Sequence, residues 1–192
     1  MTGGIGAGKS TALDALERLG AETLSSDVVV RDLLTTDELR DLLVERWGER
    51  VAPDGEVDRS AVAEIVFVDD DERKWLESQL HPRVVQAMIE FRTNLKPETD
   101  VAVIEVPLLY ETGMDQAFDE VIVVTAGDAL RDERLVARGD AAVGGREAAQ
   151  LAQAEKAARA DHVVVNEGSV EELERELAAV FEEIKAGAAA DR

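Results

Sequence analysis

The sequence predicts an α/β fold: a parallel sheet covered by helices on both faces, with a helical insertion and a short lid. Three observations predict it. Short runs rich in β-branched residues, VAVIEV at 101–106, EVIVVT at 120–125 and HVVVN at 162–166, read as strands buried on both faces and alternate with helical stretches. A glycine-rich run, GGIGAGKS at 3–10, opens directly into an amphipathic pattern. The stretch from about 35 to 97 holds no convincing strand and reads as an insertion at one edge.

Residues 9–19 (KSTALDALERL) are expected to be helical, closed by Gly20, and AETLSSD gives a short strand ending near Ser25. One or two helices follow over 28–47, with Leu33, Leu34, Leu39, Leu42 and Leu43 as an apolar stripe. Ser60 is the expected cap of a helix starting near Ala61. Residues 70–95 read as helices carrying Trp75, Leu76, Leu80, Val84, Met88 and Phe91, while His81-Pro82 by itself suggests a helix-breaking turn. Between the later strands, 128–137 and 146–159 are helical in pattern. Ser169 begins a last amphipathic helix to about Lys185, and the tail AGAAADR is expected to fray.

The domain boundaries expected are a nucleotide-binding core at 1–34 and 98–192, a lid at about 139–147, and a helical insertion at 35–97. The strand that ordinarily feeds such a glycine-rich loop is read as missing, because Met1 and Thr2 are all that precede it. Truncation at the N-terminus is the expectation. The chain should then be less stable than one bearing about five to eight further apolar residues.

Composition narrows the function. The net charge of −21 repels nucleic acid and anionic membrane, so neither is expected as a partner. It fits either a solvated acidic surface or adaptation to high salt. The absence of cysteine removes disulfides and thiolate metal sites. No apolar run spans a bilayer and no basic-then-apolar leader is present, so the expected location is cytoplasmic.

Gly3 to Ser10 fits the pattern GxxxxGKS/T without exception. Glycines at Gly4, Gly6 and Gly8, with Ala7, let successive amides curl around a phosphate at the positive end of a helix. Lys9 would reach the β and γ phosphates, Ser10 would ligate Mg²⁺, and Thr11 can add a donor to the α phosphate. The GTPase motifs NKxD and DxxG are absent, which favours an ATP-dependent small-molecule kinase. Such an enzyme needs a base, and Asp27 lies just past the second expected strand, where ligands collect in open parallel sheets. The alternative is that Asp27 only caps a helix starting at Val28. Arg134 and Arg138, four apart and followed by GDAAVGG and Arg146, have the layout of a lid with arginines at both hinges; a solvated basic face is the alternative.

Taken together, the chain resembles the dephospho-coenzyme A kinase family over nearly its whole length. TGGIGAGKST is similar to the family's phosphate loop, SSDVVVRDLL to its DADxxxR segment, and HP at 81–82 to its HP motif. PLLYE at 107–111 resembles PLLFE, RDERLVARGD resembles QxxRLxxR, and ADHVVVNEGS resembles the ADxVIxN ending. The resemblance implies a P-loop kinase that phosphorylates the ribose 3′-hydroxyl of dephospho-CoA with ATP and Mg²⁺, as a monomer or small homo-oligomer. It implies ATP on Gly6 to Thr11, Arg134 and Arg138 near the phosphates, and Asn166 with its following loop near the adenine. Asp27 matches the family's base, Arg31 follows at the family's spacing, and His81, Pro107 and Leu108 fall in segments that bind the CoA substrate.

Three departures stand out. Ser25 replaces the first Asp of DAD, Arg131 replaces a glutamine, and the segment from Arg138 to Gln150 is about three residues short. Two other readings stay open: a kinase of another small alcohol or nucleotide, and an ATP-binding regulator without catalysis. Glu105, inside VAVIEV, is either close to the Mg²⁺ site or only a strand-end carboxylate.

Overall fold

The computed structural model describes residues 1–137 and 150–190. The chain forms two compact units, Met1–Ser25 with Leu95–Arg192, and Ser26–Asn94.

The first unit carries the sheet. β1 (Thr2–Gly3) leads through the glycine-rich turn into α1 (Lys9–Arg18), and β2 (Glu22–Ser25) follows. β3 (Ala102–Glu105) and β4 (Ile122–Thr125) are the two β-branched runs, and β5 (His162–Val165) is the third. All pairings are parallel: β2 with β3, β1 with β4, and β4 with β5.

The strand expected to be missing is present as a two-residue stub. Thr2 stands opposite Val123 and Gly3 opposite Val124. On the other side the Met1 nitrogen donates to the Ile104 carbonyl at 2.7 Å, and Val106 N–H donates to the Met1 carbonyl at 2.9 Å. Backbone groups on both neighbours are thereby satisfied, which is the physical reason so short a strand holds its central place. Its brevity hid it, because two residues carry no periodicity.

Alternation along each strand sends side chains to opposite faces. On one face Val101, Val103, Ile122, Val124 and Val164 pack with Ala12, Leu13, Ala15 and Leu16 of α1. The last helix of the unit, Val170–Ala190, closes this face with Leu173, Leu177 and Phe181 at the i, i+4, i+8 spacing. Each such buried side chain contributes roughly 1.5–3 kcal/mol. Ser169 and Glu172 form a reciprocal cap at its start: Glu172 N–H donates to Ser169 Oγ (3.3 Å) and Ser169 N–H to Glu172 Oε2 (2.8 Å). Helices Asp128–Ala137 and Gln153–Ala157 belong to the same unit. β5 differs from expectation: Val164 is buried on one face, but Val163 and Val165, which alternate to the other, are each nearly half exposed.

The second unit is helical: α2 (Ser26–Leu33), α3 (Asp37–Trp47), α4 (Arg59–Val68) and α5 (Asp70–Thr93). Leu34, Leu39, Leu43, Val51, Val62 and Leu80 form its core. Trp47 and Trp75 meet edge to face at 5.1 Å, with Glu72 accepting from Arg46 and from Trp47 Nε1. Two details correct the sequence-based expectations. Asp58, not Ser60, caps α4, since its Oδ1 accepts from Ser60 N–H (2.9 Å) and Ala61 N–H (3.2 Å). His81-Pro82 is no break; α5 runs through it, and Arg83 Nη1 donates to the Gln79 carbonyl at 2.7 Å one turn back. Proline in a helix costs about 3 kcal/mol, so neighbouring packing through Leu80 and Met88 must outweigh it.

Candidate active site

The glycine-rich turn sits between β1 and α1, and its shape is set by side chains from elsewhere in the same unit. Lys9 Nζ donates to the carbonyls of Gly3 (3.2 Å) and Gly4 (3.1 Å). Arg131 Nε donates to the Ile5 carbonyl at 2.8 Å. Arg134 Nη1 donates to the carbonyls of Gly6 (3.3 Å) and Ala7 (3.4 Å), and Asn166 Nδ2 to that of Ala7 at 2.8 Å. Each carbonyl from Gly3 to Ala7 thus accepts from a cation or an amide. The C=O and N–H of one peptide unit point opposite ways, so holding the Ile5 and Ala7 carbonyls toward those groups turns the Gly6 and Gly8 amides away from them, into the turn.

Glycine is required at the end of this turn. Gly8 caps α1 at φ 91°, and a Cβ there would overlap Asn166 Nδ2. The cradle therefore fits a phosphate chain: the Gly6 and Gly8 amides turned inward, the N-terminus of α1, Lys9 against the Gly3 and Gly4 carbonyls and an exposed Ser10 at the start of α1. A cation would find its donors there too. Among the described residues no group of three or more His, Cys, Asp or Glu is arranged to hold a metal ion, and the exposed Ser10 hydroxyl is a group that could contribute to holding Mg²⁺ beside a bound phosphate chain.

Asn166 and Arg134 meet each other as well as the turn. Arg134 Nη2 donates to Asn166 Oδ1 (3.2 Å) and to its carbonyl (3.3 Å), and Asn166 is buried. At the tips of β2 and β3, Ser25 Oγ donates to Glu105 Oε2 at 2.7 Å, in register across the strand pair. The hydroxyl that replaces the expected Asp supplies a neutral partner to a buried carboxylate, where a second carboxylate would repel it.

The turn after β3 is held from below. The Pro107 carbonyl accepts from Thr2 Oγ1 (3.2 Å) and from Lys156 Nζ (2.8 Å), and Lys156 also pairs with Glu111 at 2.9 Å. Leu108 is half-buried, and its carbonyl accepts from Thr112 Oγ1 at 2.7 Å. Burial pushes the Glu111 carboxyl up, but the hydrogen bond from Lys156 and the Leu151 N–H outweigh it, leaving the group below the ordinary carboxylate range.

Asp27, Arg31 and His81 belong to the helical unit. Asp27 is exposed in the first turn of α2, which starts at Ser26, so it is not the cap of a helix beginning at Val28. Arg31 is exposed in the last turn and pairs with Asp32 at 3.5 Å. His81 is exposed in the middle of α5. Arg138 and the expected lid at 139–147 lie outside the described residues.

The sequence model of the dephospho-CoA kinase family matches residues 1–172. The chain belongs to the dephospho-CoA kinase family. It is a kinase of the last step of coenzyme A synthesis, and the family uses ATP. Among its relatives, the dephospho-CoA kinase of Synechococcus sp. (strain CC9902) is 37% identical over 187 residues, 94% of each chain. That of Anaeromyxobacter dehalogenans (strain 2CP-C) is 40% identical over 179 residues, 90% of this chain and 85% of that one. Among solved structures, TT1252 from Thermus thermophilus aligns at TM-score 0.80 and 35% identity, covering 95% and 94% of the two chains. The dephospho-CoA kinase from Campylobacter jejuni aligns at 0.70 and 27%, covering 97% and 96%.

Three residues around the site escaped a role in the sequence. Arg131 registered only as a departure from the family's glutamine, and Gln153 and Lys156 not at all. Their partners lie 27 to 126 residues away, so no local spacing could reveal them.

Proposed function

We propose that this family member transfers the γ phosphoryl of ATP to the ribose 3′-hydroxyl of dephospho-CoA, giving coenzyme A and ADP. The observation that carries the proposal is the fully tied set of turn carbonyls from Gly3 to Ala7, which leaves amides for a phosphate chain.

In this mechanism Gly4, Gly6, Ala7, Gly8, Ser10 and Thr11 bind and orient the phosphates. Lys9 exchanges its two carbonyl contacts for phosphate oxygens, and its charge screens the moving phosphoryl. The Ser10 hydroxyl would help hold Mg²⁺, which when bound would supply charge neutralisation to the phosphates. Asp27 accepts or orients the acceptor proton, and Arg31, His81, Pro107 and Leu108 position the CoA substrate. Arg134 binds the phosphates, the same role is assigned to Arg138 outside the described residues, and Asn166 carries the loop beside the adenine. Positioning and charge neutralisation supply most of the acceleration, since the loose transition state leaves little covalent chemistry to the protein. The helical unit serves as the CoA-binding insertion. No helix among the described residues is long and apolar enough to cross a membrane, and action in the cytoplasm, as a monomer or small homo-oligomer, completes the proposal.

A coupled ADP-release assay with dephospho-CoA and Mg²⁺, run across a range of KCl, is the test. ADP and coenzyme A should appear in equal amounts. ADP formation only with a different alcohol, or ATP binding without any ADP, would overturn it.

A further inference from the structure

We propose that Arg131 and Gln153 are positioning residues for ATP: they brace the phosphate loop from behind and thereby set its affinity for the triphosphate. The inference rests on that loop holding ATP, as proposed above.

Between them the two residues wedge three consecutive positions of the loop, Gln153 at Gly4 and Arg131 at Ile5 and Gly6. Gln153 lies against Gly4, where an added Cβ would sit 2.9 Å from its Cγ and 3.0 Å from its Cδ. Arg131 holds the Ile5 carbonyl through Nε, and its backbone stands so close to Gly6 that a Cβ there would lie 3.1 Å from the Arg131 carbonyl. Neither wedge is loose. The Gln153 amide closes two hydrogen bonds on one residue, donating to the Ala126 carbonyl (3.0 Å) and accepting from Ala126 N–H (3.2 Å). The Arg131 guanidinium donates to Asp128 at 2.9 Å and is only 14% exposed.

The anchors explain why this matters for the loop. Ala126 and Asp128 follow directly on β4, the strand that pairs with β1, and β1 launches the loop. Loop and brace therefore share one support, and residues 4–6 are fixed relative to it from two directions. A site shaped before its ligand arrives loses less free energy to ordering when the ligand binds. Loss of the brace should then appear in nucleotide affinity, and little in the acceptor or in the folding midpoint. Gly4 gains a specific reason to be glycine, which is the side chain of Gln153 and not a backbone angle.

The test uses the full chain with steady-state kinetics, calorimetric binding of ADP, and thermal melts. Arg131→Met should raise both the KM for ATP and the ADP dissociation constant about tenfold, as expected for one lost charge-assisted bond. The KM for dephospho-CoA should stay within about twofold and the midpoint within a few degrees. Arg131→Gln, which keeps an amide donor for the Ile5 carbonyl, should recover most of the loss. Gly4→Ala should weaken ADP, and adding Gln153→Ala should restore part of it. Unchanged ATP affinity in Arg131→Met, a parallel loss for both substrates with a falling midpoint, or no rescue of Gly4→Ala would each overturn the brace. Should Arg131→Met fail to fold, the Gly4/Gln153 pair decides alone. Turnover by the unsubstituted chain tests the ATP assignment itself, so the two failures are distinguishable.

Discussion

Lys156 and Glu111 form an ion pair 2.9 Å apart in which the ammonium is wholly shielded from solvent. The ammonium also donates to the Pro107 carbonyl, and the same Glu111 oxygen accepts from Leu151 N–H at 2.7 Å. One buried cation thus ties the turn after β3 to the segment leading into the helix Gln153–Ala157.

Breaking this pair from one side strands a charge. Glu111→Gln or Lys156→Met should each destabilise the chain by about 3–5 kcal/mol, the usual cost of an uncompensated buried ion. The double replacement should cost clearly less than the sum. Urea unfolding of the three variants checks it, and simple additivity would show that the pair does not act as a unit.

Its pH dependence has a definite sign. Folding lowers the Glu111 carboxyl below its ordinary 4.5, so the stabilisation is full above that value and disappears as pH falls through the lower, folded one. Melting midpoints of the native chain and Glu111→Gln should differ by a constant amount well above the ordinary carboxylate value and converge as the pH falls below it. A gap that widened with acid would contradict the assignment.

Lys9→Ala and Asp27→Asn should each lower turnover about 10²-fold or more with dephospho-CoA, with folding midpoints little changed. Both residues are at least partly exposed, so neither substitution empties a core. Near-native rates for Asp27→Asn would remove it from the base role.

Asn166→Ala withdraws the amide from the Ala7 carbonyl and the acceptor from Arg134. The buried groups left behind should cost about 1–3 kcal/mol of stability, with the KM for ATP rising about tenfold. Thermal melts with and without ADP separate the two effects, because only a loop defect diminishes the shift that ADP produces.

In the helical unit, Asp58→Ala should destabilise by about 1 kcal/mol and Ser60→Ala by much less, since Asp58 carries the cap. The reverse order in chemical denaturation would reinstate Ser60.

Long apolar runs and the phosphate-loop spacing were legible because their signal is local. The runs at 101–106 and 120–125 form the expected parallel strands, and Leu34, Leu39 and Leu43 are buried as their spacing implies. The cap at Asp58 was misplaced by two residues because Asp58 and Ser60 are both good caps in the same polar run, and only the backbone angle selects one. Pro82 read as a stop because its cost is local, whereas the packing that outweighs it is not.

By itself the sequence determined the family, the α/β class and the turn that would hold phosphate, since each rests on contiguous residues of fixed type. Only the tertiary structure decided that Met1 to Gly3 stand between β3 and β4, that Ser25 partners Glu105, and that Arg131, Arg134, Asn166 and Gln153 hold the turn in shape. Those contacts join positions far apart in the chain. Hydrogen bonds reward proximity in space, and proximity across a hundred residues exists only once the sheet has formed.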